Sequence, residues 1–142
     1  LPGATDKSQP YVEYAKSIGV FDNVEVLGYR NDISNLVALS DISLSSSRQE
    51  GLPINLIEAM AIGNPIVATD VRGNNDLVKN GINGFTVPLN DSAAMADAVM
   101  KIYNSPQLAL DFKNQNAKEV KKYSVESVID DMVGIYKDLL LL

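Results

Sequence analysis

Short apolar runs alternate with amphipathic stretches along this chain. Gln9 to Ile18 reads as a helix: Pro10 opens it, Tyr11, Tyr14, Ala15 and Ile18 recur at helical spacing, and Gly19 closes it. Val24-Glu25-Val26-Leu27 reads as a strand ending at Gly28, and Asn31 to Ser40 as a helix with Ile33, Leu36, Val37 and Leu39 inward. Asp41 to Ser45 is the next strand, followed by a loop from Ser46 to Gly51. Pro53 to Ile62 reads as a helix that Gly63 ends, since proline is tolerated at the first helical position. Pro65 to Thr69 is a buried strand, Asp70 to Asn75 a loop, Asp76 to Asn80 a short helix and Gly84 to Val87 a further strand. Asp91 or Ser92 caps a helix over Ala93 to Asn104, and Pro106 starts another to about Lys122. Ser124 begins the last helix, Val125 to Leu140. There Val125, Val128, Ile129, Met132, Val133, Tyr136, Leu139 and Leu140 form one apolar stripe.

This alternation predicts an α/β fold: a Rossmann-like parallel sheet of four short strands flanked by helices on both faces. Ligands in such sheets bind outside the carboxyl ends of the strands. The loops at those ends are Gly28 to Asn31, Ser46 to Pro53, Asp70 to Asn75 and Pro88 to Asp91.

Two glutamates stand out against this pattern. Glu50 precedes a Gly51-Leu52-Pro53 turn, and Glu58 lies within the Pro53–Ile62 helix, whose only polar side chains are Asn55 and Glu58. A helix apolar almost all round is expected to be buried. Asn55 and Glu58 are three apart and share a face. A carboxylate on a buried helix costs several kcal/mol unless it is paired or binds something. Either Glu58 pairs with a lysine or arginine on a neighbouring element, or its face opens onto a cleft with the Glu50 turn at its rim. Glu50 is correspondingly either a cleft residue or a solvated loop residue.

Composition narrows the chemistry. The 142 residues are enough for one domain with a real core, and 46% hydrophobic with 21% charged residues is ordinary for a globular protein. The formal net charge of −6 argues against nucleic acid as the main partner. With no cysteine and no histidine there is no disulfide, thiolate nucleophile or histidine-ligated zinc. Any general base must be a carboxylate. No apolar run is long enough for a transmembrane segment, and Leu1 to Asp6 does not read as a signal peptide. Cytoplasm is the compartment expected, with the inner face of the membrane allowed for a full-length enzyme. Asp130-Asp131 falls mid-helix and reads as a solvated face, so no metal and no cofactor is expected.

Several runs carry a resemblance. They are Asp22 to Ile33, Ser40 to Gln49, the glutamate pair spaced E-x7-E from Glu50 to Glu58, Glu58 to Asp70, Gly81 to Pro88, and Tyr123-Ser124-Val125-Glu126. Together they resemble the nucleotide-sugar-binding half of the retaining family 4 glycosyltransferases, which have the GT-B fold. The likeness covers essentially the whole chain, and the glutamate pair is that family's signature. It implies that Glu50 lies by the donor sugar as the catalytic carboxylate and that Glu58 binds the ribose hydroxyls. It implies a donor sugar and phosphate site along Gly51, Leu52, Pro53, Ile54 and Asn55, the helix-start amides facing phosphate oxygens. Tyr29 and Arg30 match the base-contacting segment, the alternative being a plain surface turn. Arg72 to Asp76 is similar to a variant found in capsule and exopolysaccharide enzymes, which carry arginine where this chain has Asn75. Arg48 reads as a structural ion-pair partner.

The resemblance also implies that 1–142 is a partial C-terminal domain of a GT-B glycosyltransferase, incomplete at its N-terminal end and without the acceptor domain. The arginine and lysine that grip the diphosphate in such enzymes have no counterpart here. The implied reaction moves a sugar from a nucleoside diphosphate sugar to an acceptor in surface polysaccharide or glycoconjugate synthesis, with this chain inactive alone. The partners expected are that donor and the acceptor domain of the full-length protein, or a dimer formed through the last helix. A non-catalytic nucleotide or sugar-phosphate binding module is the alternative. An epimerase of the same architecture ranks lower, because those enzymes use histidine.

Overall fold

The computed structural model describes residues 5–140, which divide into two units at Asn35. The first holds α1 (Thr5–Ser17) and a 3-10 turn at Phe21–Asn23. Pro10 lies inside α1 rather than opening it: the helix begins at Thr5, and proline keeps a helical φ while giving up a backbone donor. Gly19 closes α1 in the left-handed region at φ 71°. Its amide bonds Lys16 O at 3.1 Å while the Val20 amide bonds Ala15 O at 3.0 Å, the paired bonds of a Schellman ending. The strand expected over Val24–Leu27 does not form. Val24 is extended (φ −122°, ψ 120°), but a strand needs a continuous ladder, and the pairing assigned in this stretch is a single bridge at Gly28.

The elements that follow are α2 (Ile33–Leu39), β1 (Ser43–Ser45), α3 (Ile54–Ile62), β2 (Ile66–Thr69), α4 (Arg72–Leu77), β3 (Gly84–Val87), α5 (Ser92–Tyr103), α6 (Pro106–Glu119) and α7 (Val125–Leu140). The sheet is parallel in the order β1-β2-β3, with Leu44, Val67 and Phe85 in register. Among the described residues it has three strands, not four. β2 is central and buried along its whole length, as a fully apolar run in a parallel sheet should be.

The side-chain period of a strand sorts the core into two layers. Ile66 and Ala68 pack with Leu56, Ala59 and Met60 of α3 and with Leu77 and Val78. Val67 points the other way, to Val87 of β3 and to Ala98, Ile102 and Phe112 of α5 and α6. Phe112, 1% exposed, meets Phe85 edge to face with ring centroids 5.3 Å apart. Asn116, one turn further along α6, donates to Asn64 O at 2.8 Å and Asn83 O at 3.0 Å. It thereby ties the turn after α3 to the turn before β3. The helix starts follow their sequence signals: Asp91 accepts from the Ala94 amide at 2.8 Å, and Ser105 caps α6 with Pro106 behind it.

Other boundaries differ from expectation. α6 stops at Glu119 and the chain continues as a 3-10 turn, Val120–Tyr123. Leu39, expected inward, is 83% exposed. Every member of the apolar stripe on α7 is exposed. No helix among the described residues is long and apolar enough to cross a membrane.

Candidate functional site

The loop after β1 is built from its neighbours. Thr69, at the end of β2, donates its hydroxyl to Ser47 O. Asn74, fully buried in α4, donates to Thr69 O at 2.9 Å and reaches the Thr69 hydroxyl at 3.2 Å. This relay fixes the loop to the carboxyl end of the sheet and to α4. The second constraint is steric. A Cβ at Gly73 would lie 2.6 Å from Gly51 O and 2.8 Å from Glu50 O, so only glycine lets α4 lie this close to the Glu50–Gly51 backbone.

The stretch from Arg72 to Asn75, expected as loop, is therefore helical. Gly-Asn-Asn is a poor helix former, and the helix exists because tertiary contacts hold it. Leu77 ends it, and the expected helix to Asn80 is replaced by a turn in which Asn83 accepts from the Lys79 amide at 2.7 Å.

Between this loop and α4 lies a cleft of about 660 Å³, lined by Arg48, Gln49, Glu50, Gly51, Val71, Arg72 and Asp76. Glu50 is half-buried in it. A Cβ at Gly51 would meet no protein atom, so the fold itself does not demand glycine there. Arg48, expected as an ion-pair partner, instead donates to the neutral Asn90 Oδ1 at 2.9 Å. Asn75 is held by Asp70 Oδ1.

α3 corrects the reading of Glu58. The helix is not buried all round: Leu56, Ala59 and Met60 face the core, while Ile54 (58% exposed), Asn55 and Glu58 face solvent. Nine residues laid on one sheet face bury one stripe and expose the other. The desolvation argument for Glu58 accordingly falls away, and among the described residues it makes no ion pair. The shared face with Asn55 does open outward. Pro53 stands at the N-cap rather than the first helical position, with no side-chain cap, and it has no N–H of its own. The amides of Ile54 and Asn55 thus start the helix with no partner within it. Leu52 is 53% exposed and Pro53 is buried. Of the residues singled out from sequence, the cleft brings together Glu50 and Gly51; Leu52 to Asn55 and Glu58 do not line it.

Tyr29 and Arg30 belong to the first unit. Tyr29 is 87% exposed. Arg30 grips Asp32 in a two-pronged pair, Nε to Oδ1 at 2.8 Å and Nη2 to Oδ2 at 2.6 Å. The hydrogen bond raises the Arg30 pKa and lowers that of Asp32. Sequence reading missed Thr69, Gly73, Asn74 and Asp76 as parts of the site, and left Arg72 without a role of its own. The one local signal was a glycine flanked by polar residues straight after a buried strand.

Known proteins resemble this chain in sequence and in fold. The sequence pattern of the family described as glycosyl transferases group 1 matches residues 2–119. EpsD of Bacillus subtilis is 34% identical over 126 residues, covering 89% of this chain and 33% of that protein. An Escherichia coli enzyme named UDP-Gal:alpha-D-GlcNAc-diphosphoundecaprenol alpha-1,3-galactosyltransferase is 30% identical over 128 residues, covering 90% of this chain and 33% of its own length. The crystal structure of Anabaena HepE in complex with UDP superposes with a TM-score of 0.89 at 25% identity, over 97% of this chain and 40% of that one. The chain thus spans about a third of the length of the curated relatives it matches. The relatives, the matched pattern and the α/β architecture agree: this chain belongs to the group 1 glycosyl transferases of GT-B fold.

Proposed function

We propose that this chain is the donor-binding part of a retaining glycosyltransferase. It transfers a sugar from a nucleoside diphosphate sugar to an acceptor in surface polysaccharide or glycoconjugate synthesis. The observation that carries the reading is the glutamate pair of a group 1 chain standing at the carboxyl end of the sheet. Glu50 sits in the cleft there, and Glu58 lies on the open face of the helix behind it. Carboxylates are suited to sugars, because each accepts hydrogen bonds from hydroxyls and charge-assisted bonds are the strong ones. Glu50 accepts from the donor sugar, and its charge favours the positive charge that builds on the sugar as the diphosphate leaves. Glu58 accepts from the ribose diol.

The unpartnered amides at the start of α3 receive phosphate oxygens, aided by the helix dipole. The open space at Gly51 admits the donor close to the backbone. HepE with bound UDP and the UDP-Gal-dependent relative make UDP the first nucleotide to test. Within the first unit, Tyr29 and the Asp32-held Arg30 are the residues proposed for a nucleobase. The acceptor domain belongs to the longer protein, which works at the inner face of the membrane. The exposed stripe of α7 is covered by that domain, or by a second copy when this part stands alone.

The test is calorimetric titration with UDP, GDP and ADP. One nucleotide is expected to bind selectively, and Glu58→Gln to weaken it by roughly 1–3 kcal/mol, the range for a hydrogen bond to a charged group. Unchanged affinity in a folded Glu58→Gln protein removes the ribose assignment.

A further inference from the structure

The cleft around Glu50 carries two guanidinium groups that the reading above leaves unused. Arg48 and Arg72 both line it, opposite in charge to Glu50 and Asp76 on the same wall. None of the four is satisfied by another. The ion pairs among the described residues are Arg30–Asp32 and Glu119–Lys122, neither of which touches the cleft. Arg72 and Asp76 stand one turn apart on α4 and still do not pair. Arg48 spends one donor on the neutral Asn90, which orients the group without neutralising it. Both arginines are exposed, so solvent now covers donors that a ligand would engage.

We infer that Arg72, assisted by Arg48, makes this cleft a phosphate-binding subsite beside Glu50. This rests on the donor-site reading and deepens it. A guanidinium presents five donors in a rigid fork matched to the oxygens of phosphate. Two forks on one cleft suit a group with several anionic oxygens better than a single carboxylate. Glu50 and Asp76 accept from hydroxyls, so the occupant that fits the whole cleft carries hydroxyls beside its phosphate, and pyrophosphate reports on the two guanidinium groups alone. Two substrates offer that chemistry: the donor, through its diphosphate, or an acceptor that carries its own phosphate.

Titration of the chain with inorganic pyrophosphate, uridine and UDP separates them. Pyrophosphate is expected to bind the unaltered protein and to weaken about tenfold or more in Arg72→Gln, the loss of a charged hydrogen bond. Arg72→Lys should recover part of the loss, since it keeps the charge without the fork. Lys118→Gln, an exposed charge change on α6, should leave binding unaltered. If UDP displaces pyrophosphate and itself weakens in Arg72→Gln while uridine does not, the subsite holds the donor diphosphate. If pyrophosphate still binds with UDP saturating, the subsite belongs to a phosphorylated acceptor. Equal pyrophosphate affinity in the unaltered and Arg72→Gln proteins, or none in either, overturns the inference. Failure of the donor reading shows separately, as UDP binding that is absent or indifferent to Glu58→Gln, because pyrophosphate has no ribose.

Discussion

Gly73→Ala is expected to lower stability by roughly 1–3 kcal/mol, the range for overpacking a tight site, and to weaken nucleotide-sugar binding with it. The added methyl would sit 2.6 Å from Gly51 O, 2.8 Å from Glu50 O and 2.9 Å from Glu50 C. All three are backbone atoms, so no side chain can swing aside. Either α4 moves off the sheet end or the Glu50–Gly51 peptide moves into the cleft. The first strains the Asn74–Thr69–Ser47 relay; the second displaces the Glu50 carboxylate. Misplacing a reacting group by an ångström can cost about a hundredfold in rate. Gly51→Ala is the control: a Cβ there meets nothing, and the fold should keep its full stability. Chemical denaturation and calorimetry on the pair decide the matter. A Gly73→Ala protein as stable as the original, with unaltered affinity, would show that the close packing of α4 on the loop has no role.

Gly73 also marks where the sequence stopped being legible. The strands Ile66–Thr69 and Gly84–Val87 could be read because each is a short apolar run bounded by turn residues, and burial bears that out. The helices from Ser92 to Leu140 could be read from caps and periodicity. α4 could not, because Arg-Gly-Asn-Asn has neither helical propensity nor an apolar period; its reason for being helical is a contact with the Glu50–Gly51 loop, distant in sequence. Val24–Leu27 looks like a strand by composition, yet pairing is a property of neighbours, not of the segment. Glu58 was singled out on a burial argument that the structure does not support. Counting apolar letters around α3 says nothing of which stripe meets the sheet, and Ile54 turns out to face solvent. Glu50 lies on the loop after β1, one of the strand-end loops, while its cleft neighbour Arg72 comes from the stretch expected as loop and Asp76 from the start of the helix expected after it.

The largest effect on stability is expected at the opposite face of the sheet. Phe112 is 1% exposed, packs with Val67, Val87, Ala98 and Ile102, and holds Phe85 edge to face at 5.3 Å. Phe112→Ala removes the ring and leaves a cavity among elements that cannot collapse, because Asn116 one turn away pins α6 to the turns at Asn64 and Asn83. A loss of about 3–5 kcal/mol follows, a large share of the roughly 5–15 kcal/mol that holds a domain together. Phe112→Leu keeps most of the apolar volume and serves as the folded companion if the alanine variant fails to fold. None of the cleft residues belongs to this cluster. Urea denaturation should therefore show the midpoint falling in both variants, while nucleotide affinity measured below the transition stays unchanged. Affinity falling together with stability in Phe112→Leu would mean that the two layers are coupled through β2, and that the rigidity of the Glu50 loop depends on packing behind the sheet as well as on Gly73 and Thr69.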